Sequence, residues 1–350
     1  MSESKGAHHE SLRCAAGGLM AAAGLGRAAE LDPLPGGGNN RVFRVKGEGG
    51  CAFLKAYFQH PNDPRDRLKT EFSFLKLAWE HGVRSVPRPL AQDRDHGLGL
   101  YEFIPGRALR PDEVDEGCVD QAIHFYQEIN QAREASEAQS VPDAAEACFN
   151  LAEHLACVER RVDRLAAIRG DSGVDREAVR FVHGELCERW RKVSELAADH
   201  AAQDGLSLTD QIEPKEKCLS PSDFGFHNTL LAEDGRLRFI DFEYAGWDDP
   251  AKVICDFFCQ PALPVPLAWY ERFASAVVAG CSEPEAHRRR ATLLLPVYQL
   301  KWCCILLNEF LPSGQVRRRF ADSEGDSTEC KAAQLRKARQ VLKELQSRAM

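Results

Sequence analysis

After its first thirty residues the chain has short stretches in which apolar and polar residues alternate, the pattern of half-buried β-strands. Arg41–Val45 alternates in this way, and Cys51–Tyr57 is a second stretch rich in strand-forming residues. The glycine-rich segment 47–50 between them predicts a tight turn. A further strand is predicted at Gly99–Ile104. This part of the chain is therefore predicted to form a β-rich unit.

Apolar residues recur at helical spacing over most of the remainder. The first such repeat predicts a helix over Arg65–His81 that ends at Gly82, a residue typical of helix C-termini. Further helices are predicted over Val119–Arg133, Ala144–Ile168 and Arg176–His200. We therefore predict a helical extension over residues 1–30, a β-rich N-lobe over residues 31–106 and a mainly helical C-lobe over residues 107–350.

The composition is ordinary for a globular protein, with 44% hydrophobic and 28% charged residues among 350. The net charge of −8 argues against nucleic acid as a partner, and the apolar runs are too short to predict a membrane span. Thirteen cysteines without a CxxC pair are typical of free thiols in a reducing compartment, so we predict a cytoplasmic protein. The basic run His287–Arg290 is interpreted as a solvated helix face.

Candidate chemistry first appears in PSDFGFHNTLL, residues 221–231, which runs into a short apolar strand. The following segment 233–235 predicts a tight hairpin turn, and the returning strand ends at Asp241. Because the two arms have matched lengths, Asn228 and Asp241 are expected side by side, with Asp223 on the loop leading in. Carboxylate and amide oxygens suit Mg²⁺, although these residue types also serve plain turns.

Three features lie upstream of this hairpin. Lys55 lies inside an apolar strand, where a lysine either extends to solvent or pairs with an acid. Glu71, on the following helix, is a candidate partner. The third feature is a glycine-rich loop that brings backbone N–H groups close to an anion or acts as a flexible turn; it consists of Gly36, Gly37, Gly38, Asn39 and Asn40.

The order of these features resembles the protein-kinase-like superfamily, and more narrowly the aminoglycoside phosphotransferase and choline kinase family. The narrower resemblance rests on DFGFHN, residues 223–228, followed by IDFEYA, residues 240–245, and extends over about residues 31–258. It implies an α+β, two-lobed protein-kinase-like fold, with a small β-rich N-lobe and a larger, mainly helical C-lobe. It also implies an ATP- and Mg²⁺-dependent kinase that phosphorylates a hydroxyl of a small molecule.

The resemblance implies a role for each matching residue. Asp223 would be the catalytic base, and Lys55, steadied by Glu71, would contact the ATP phosphates. Asn228 and Asp241 would hold Mg²⁺. The remaining nucleotide-binding residues would be Gly36, Gly37, Gly38, Asn39 and Asn40 over the phosphates and the backbone of Tyr101, Glu102 and Phe103 beside the adenine.

One position departs from the family pattern: Pro221 stands where the family usually has a histidine two residues before the catalytic aspartate. This keeps open an alternative, a catalytically silent nucleotide-binding pseudokinase with a regulatory or scaffold role. His227 lacks a Cys or His at metal-ligand spacing, so it is interpreted as a packing or substrate-contact residue. Asp256 resembles the family aspartate that braces the catalytic loop.

The C-lobe offers acids and aromatics that suit a cationic or amino-bearing acceptor such as choline, ethanolamine, an amino sugar or an aminoglycoside. An uncharged sugar fits equally, because aromatics at helical spacing more often belong to the core. The residues concerned are Glu243, Asp248, Asp249, Glu309, Tyr244, Trp247, Tyr298 and Trp302.

Overall fold

The computed structural model describes residues 2–35, 40–59, 63, 65–170, 172–312, 320 and 327–348. Its strands are β1 Ala28–Pro33, β2 Arg41–Gly47, β3 Gly50–Ala56, β4 Pro89–Asp93, β5 Leu98–Glu102, β6 Gly106–Ala108, β7 Cys218–Ser220, β8 Thr229–Ala232, β9 Leu237–Phe239 and β10 Gly246–Asp248. Its α-helices are α1 Ser2–Ala22, α2 Arg67–Glu80, α3 Glu116–Gln131, α4 Leu151–Ala166, α5 Gly173–Phe181, α6 Cys187–Gln203, α7 Pro250–Cys259, α8 Tyr270–Val278, α9 Pro284–Leu306 and α10 Ser327–Arg348.

The first lobe is built on an antiparallel sheet in the order β1-β2-β3-β5-β4. Side chains of the central strand β3 alternate between its two faces. Leu54 packs with residues of α1 in one apolar cluster. Phe53 and Tyr57 belong to the cluster on the opposite face, which includes α2. Lys55 shares the parity of Phe53 and Tyr57, so its side chain is directed toward α2.

Helix α2 carries the partner of that lysine and has a defined start and end. Asp66 caps the first turn by accepting a hydrogen bond from Lys69 N at 3.0 Å. Gly82 adopts φ +85°, the left-handed conformation that ends a helix with little strain in glycine. The predicted helix and its glycine cap are confirmed, and the central turn of α2 brings Glu71 beneath the sheet.

The second lobe packs around α9, which contacts α4, α6, α7, α8 and α10. The segment Pro284–Phe310 is long and apolar enough to cross a membrane by length and composition, contrary to our sequence-based expectation. Half of the residues in its apolar window are buried, as in the core helix of a globular protein. The run is inconspicuous in the sequence because Lys301 and the basic residues 287–290 interrupt it.

The hairpin that the sequence predicts is present. Strands β8 and β9 pair with Thr229 opposite Phe239, and Ile240 N donates to Asn228 O at 3.0 Å. The register therefore brings the backbone that leads to Asp241 next to Asn228. Strand β6, just beyond β5, pairs with β8 and forms the third strand of this sheet.

The predicted helix Ala144–Ile168 begins later than expected, at Leu151. Asn150 caps it by accepting from Glu153 N at 2.8 Å. The residues before the cap run beside the segment after Asp241, where Ala144 N donates to Trp247 O at 2.9 Å. These long-range backbone bonds replace the helical ones, and the local sequence pattern does not reveal them.

The interpretation of His287–Arg290 as a solvated face is wrong for two of its residues. Arg290 Nε donates to Asp249 Oδ2 at 2.7 Å, and His287 Nε2 lies 2.9 Å from Glu216 Oε2. Residues three apart share a helix face, so positions 287 and 290 both face the lobe interior. Arg289 lies on the exposed side of α9.

Arg290→Met is expected to destabilise the protein by about 3–5 kcal/mol, because Asp249 is fully buried and would lose a charged partner. His154 Nε2 lies 3.1 Å from the same oxygen of Asp249, and it would remain beside this carboxylate after Arg290 is replaced. Denaturant unfolding at neutral pH measures the change. The matched control is Arg289→Met, for which unfolding should shift by less than about 0.5 kcal/mol; equal effects of the two substitutions would contradict the assignment.

Candidate active site

The loop between β7 and β8 carries Asp223 and is anchored by two aromatic side chains. Phe224 and Phe226 are buried, and both rings contact Phe257, with centroids 5.1 Å and 5.3 Å away. Ser222 adopts φ +67° at the start of the turn. The anchors fix the loop to the C-lobe core while the Asp223 side chain stays 32% exposed.

Asp223 is held by groups of its own loop. His227 Nε2 lies 3.1 Å from Asp223 Oδ1, and Asn228 Nδ2 donates to Asp223 O at 3.0 Å. Burial raises the pKa of the Asp223 carboxyl, but the hydrogen bonds from His227 and Asn228 and the charge of Lys301 outweigh burial. The pKa of Asp223 is therefore lowered, and the carboxylate is ionised at neutral pH.

Lys55 lies among three carboxylates. Its Nζ is 2.7 Å from Glu71 Oε2, 2.5 Å from Asp241 Oδ1 and 3.9 Å from Glu243 Oε2. Burial lowers the pKa of Lys55, and the carboxylates more than reverse that effect, so its pKa is raised well above the usual value. The charged ammonium thus links the central strand of one lobe to α2 and to the hairpin of the other.

Glu71 is oriented by a set of buried hydrogen bonds. Tyr57 OH donates to Glu71 Oε2 at 2.7 Å, and Phe242 N donates to Oε1 at 3.2 Å. The Tyr57 and Tyr101 hydroxyls lie 2.6 Å apart. The sequence analysis missed Tyr57, although its position two residues after Lys55 on the same strand face was a usable signal.

Negative charge is in excess around Asp241. The pKa of this carboxyl is raised to about 7, because burial, Glu243 and Glu71 raise it by more than Lys55 lowers it. Glu243 accepts from Asn40 Nδ2 at 2.6 Å and lies 3.9 Å from Arg67 Nε. Asp241 itself adopts φ +69°, a left-handed conformation that is strained for an aspartate. Carboxylates crowded around one ammonium form a donor set that suits a hard divalent cation, and the backbone bond from Ile240 N to Asn228 O brings Asn228 alongside the same segment.

The predicted nucleotide-binding residues are only partly described. Gly36, Gly37, Gly38 and Asn39 lie outside the described residues. Asn40 is buried, and its Oδ1 accepts from Phe58 N at 3.1 Å. In the strand between the lobes, the Tyr101 side chain is buried, Glu102 N–H donates to Arg88 O at 2.8 Å, and Phe103 lies under Arg44. The Glu102 amide is thus already bonded within the N-lobe.

Asp256, which resembles the family aspartate that braces the catalytic loop, has its hydrogen-bond partners on α9. Asp256 Oδ1 accepts from Lys301 Nζ at 2.8 Å and from Trp302 Nε1 at 2.9 Å. Its contact with the loop is indirect, because the Trp302 ring packs edge-to-face on His227 with centroids 6.3 Å apart. The buried carboxylate does have partners, as its apolar neighbours required, but they lie on α9.

The carboxylates expected to attract a cationic acceptor have internal partners. Asp248 accepts from Lys252 Nζ at 2.6 Å, Asp249 bonds Arg290 and His154, and Glu243 bonds Asn40. Among the aromatic residues, Trp247 Nε1 donates to Ala138 O, and the Tyr298 hydroxyl shares a hydrogen bond with His154 Nδ1. These residues are part of the folded framework, and their residue types alone do not predict that.

The match to a family model decides the relationship of the chain to known proteins. The model of the phosphotransferase enzyme family matches residues 30–290. The chain belongs to this family. No curated protein matches it.

Solved structures share its protein-kinase-like fold at low identity. A choline/ethanolamine kinase family protein from Mesorhizobium loti is 18% identical, with a TM-score of 0.53 over 90% of this chain and 92% of that one. A spectinomycin phosphotransferase, solved with ADP and spectinomycin, is 11% identical, with a TM-score of 0.56 over 90% and 96%. A choline kinase from Cryptosporidium parvum is 14% identical, with a TM-score of 0.51 over 91% and 90%.

Lys55→Met is expected to lower the free energy of unfolding at pH 8 by about 3 kcal/mol, the low end for breaking a buried ion pair, because Asp241 is partly exposed. Without the ammonium, nothing offsets the burial and the neighbouring carboxylates that already raise the pKa of Asp241 above that of the unfolded chain. The folded variant therefore takes up protons first as the pH falls, and its deficit against the wild type shrinks toward pH 5. Thermal unfolding of the variant and the wild type between pH 8 and pH 5 measures this difference in stability, and the exposed Lys76→Met is the control. A difference that grows as the pH falls would contradict the prediction.

Proposed function

We propose that this protein is an ATP- and Mg²⁺-dependent kinase that phosphorylates a hydroxyl of a small molecule. The observation that supports this proposal most strongly is the position of Lys55, whose ammonium group pairs with Glu71 of α2 and with Asp241 just after the hairpin. Such an ammonium, held by carboxylates of α2 and of the segment after the hairpin, is suited to nucleotide phosphates. The family membership supports the same conclusion.

The residues present fit a magnesium ion. The pKa of Asp241 is raised because burial and the neighbouring Glu243 and Glu71 oppose its ionisation, and Lys55 offsets this only in part. Added positive charge would relieve that repulsion. Asp241 and Asn228 would hold the ion, which when bound neutralises phosphate charge and orients the phosphates.

The chain's own residues then divide the remaining work. Asp223, ionised and held at one oxygen by His227, accepts the proton of the acceptor hydroxyl. Lys55 supplies positive charge to the phosphates, and Glu71, fixed by Tyr57, keeps the ammonium in place. The contribution of these groups is position and charge, because phosphoryl transfer requires little covalent help from the protein.

The proposal includes both amino-bearing and uncharged hydroxyl compounds as acceptors. Asp248 and Asp249 are engaged by internal cations, so they do not favour a cationic acceptor. The test is ATP-dependent phosphoryl transfer with purified protein and Mg²⁺ on choline, ethanolamine, spectinomycin, glucosamine and glucose. Transfer to one of them supports the proposal. Nucleotide binding without transfer to any hydroxyl compound, in this and wider panels, would instead support the pseudokinase alternative.

Asp223→Ala should lower turnover by about 10²–10⁴-fold, the typical contribution of a general base. Binding of Mg·ATP, measured by titration calorimetry, should change less than about twofold, since Asp223 is assigned to the proton and not to the nucleotide. Asp234→Ala, on the exposed hairpin turn, is the control and should keep wild-type turnover. Unchanged turnover in Asp223→Ala would remove Asp223 from the role of base.

The affinity for Mg·ATP should fall as the pH is lowered from 8 to 6. With the pKa of Asp241 near 7, a proton competes with the metal below that pH, and affinity weakens by up to about tenfold per pH unit. Asp241→Asn should bind weakly and lose this pH dependence. Calorimetric titrations at several pH values provide the measurement, and a variant that retained both affinity and pH dependence would exclude Asp241 as a ligand.

A further inference from the structure

We propose that His227 is a positioning residue for the catalytic base: its imidazole holds the Asp223 carboxylate in the orientation that proton transfer requires. The inference rests on the proposed function and extends it to a residue that the sequence analysis assigned only to packing or substrate contact. It follows from the contacts of His227 on three sides of its ring.

The first contact is with the base itself. The turn Phe226–Asn228 brings His227 back toward the start of the loop, and its Nε2 reaches Asp223 Oδ1 at 3.1 Å. An ionised carboxylate only accepts hydrogen bonds, so Nε2 carries the proton in this pair. A carboxylate tied at one oxygen rotates less, and its second oxygen is presented to the acceptor in a narrower range of directions.

The second contact fixes the imidazole in turn. Its ring meets Trp302 edge-to-face at 6.3 Å, and Trp302 Nε1 donates to Asp256 Oδ1 at 2.9 Å. Asp256 is held by Lys301 Nζ at 2.8 Å. A series of buried contacts therefore runs from α7 and α9 through the imidazole to Asp223, and the His227 side chain is only 18% exposed.

The third contact is the space that Gly225 provides. A Cβ atom built on Gly225 would lie 2.8 Å from His227 Nδ1 and 2.9 Å from Cε1. Gly225 has φ 172°, an extended conformation open to any residue, so its lack of a side chain serves space and not backbone freedom. His227 Nδ1 is buried without a hydrogen-bond partner among the described residues. The imidazole is therefore placed for the bond that Nε2 makes.

A packing role for His227 makes different predictions from a positioning role. Packing on Trp302 requires only ring volume, so removal of His227 would lower stability and affect all kinetic constants. Positioning requires the Nε2 donor and acts on the reaction step alone. A substitution that keeps volume but removes the donor separates the two.

The experiment compares His227→Leu, which removes the donor, with His227→Gln, whose amide retains a donor. The probe is ATP hydrolysis with Mg²⁺ and water as acceptor, repeated with any hydroxyl compound of the panel that is phosphorylated. We expect kcat to fall about tenfold or more in His227→Leu, less than the 10²–10⁴ of removing the base. KM for Mg·ATP should stay within about twofold, and His227→Gln should recover most of kcat.

A second pair of variants tests the same contact from the other side. Gly225→Ala displaces the imidazole and also brings its Cβ 3.0 Å from Gln260 Cγ, so it should lower kcat in the wild type and lower it by a smaller factor in the His227→Leu background, because coupled residues are not additive. Gly173→Ala, where an added Cβ meets nothing within 4 Å, is the control. Equal losses in His227→Leu and His227→Gln, a raised KM together with reduced thermal stability, or additive effects would overturn the proposal.

The ring tautomer supplies a readout that needs no turnover. In ¹⁵N-resolved imidazole spectra, assigned by difference against His227→Gln, His227 should show the Nε2–H form in the wild type and lose it in Asp223→Ala. An Nδ1–H form in the wild type would overturn the inference. A wild type that transfers no phosphate yet shows the Nε2–H form would refute the proposed function while leaving the His227–Asp223 contact supported.

Discussion

The buried ammonium group of Lys55 bonds to carboxylates of both lobes of this protein. Lys55 Nζ lies on the central strand of the N-lobe sheet, and its partners are Glu71 on α2 and Asp241 beyond the C-lobe hairpin. A buried charge requires compensation, so the sheet, the helix and the hairpin are all constrained at one point. Tyr57 and the amide of Phe242 complete the set by satisfying Glu71. The relative placement of the proposed nucleotide groups therefore depends on this contact.

The loop that carries Asp223 is constrained by packing instead of charge. Phe224 and Phe226 insert into the C-lobe core on either side of Gly225, and Phe257 touches both rings. Aromatic anchors of this size contribute mainly through buried area and ring geometry. The base is thus positioned by apolar contacts below the loop, whereas Lys55 is positioned by ion pairs. The two sides of the site depend on different interactions, and conditions such as salt or pH act on them unequally.

Local sequence patterns were sufficient for much of the fold. Strand alternation and the glycine turn located β2 and β3, and the matched arms located the hairpin that joins Asn228 to Asp241. The order of Lys55, Glu71, Asp223 and Asp241 led to the family, which the comparison confirmed. The lobe boundaries and the roles of the site residues stay predictions.

The failures have one physical cause, a partner that is distant in sequence. Asp256 was recognised as needing a partner, but Lys301 is forty-five positions away. The residues before α4 have a helical sequence pattern, but in the structure their backbone groups bond to the segment near Trp247. The sequence pattern indicated a solvated Arg290 because its partner, Asp249, lies at the N-terminus of a different helix, α7. The periodicity of a sequence predicts which face of a helix a residue occupies, but it does not predict which charged residue of another element packs against that face.

The left-handed backbone of Asp241 has a consequence for how this protein responds to redesign. At φ +69° a glycine would be more comfortable than any residue with a Cβ, by about 1 kcal/mol. Ser222, at φ +67° beside the base, is in the same situation. Glycine at position 222 would remove this backbone cost without breaking an ion pair, whereas glycine at position 241 would also remove the carboxylate that pairs with Lys55. Stabilising redesign next to the site is therefore open at Ser222 and closed at Asp241.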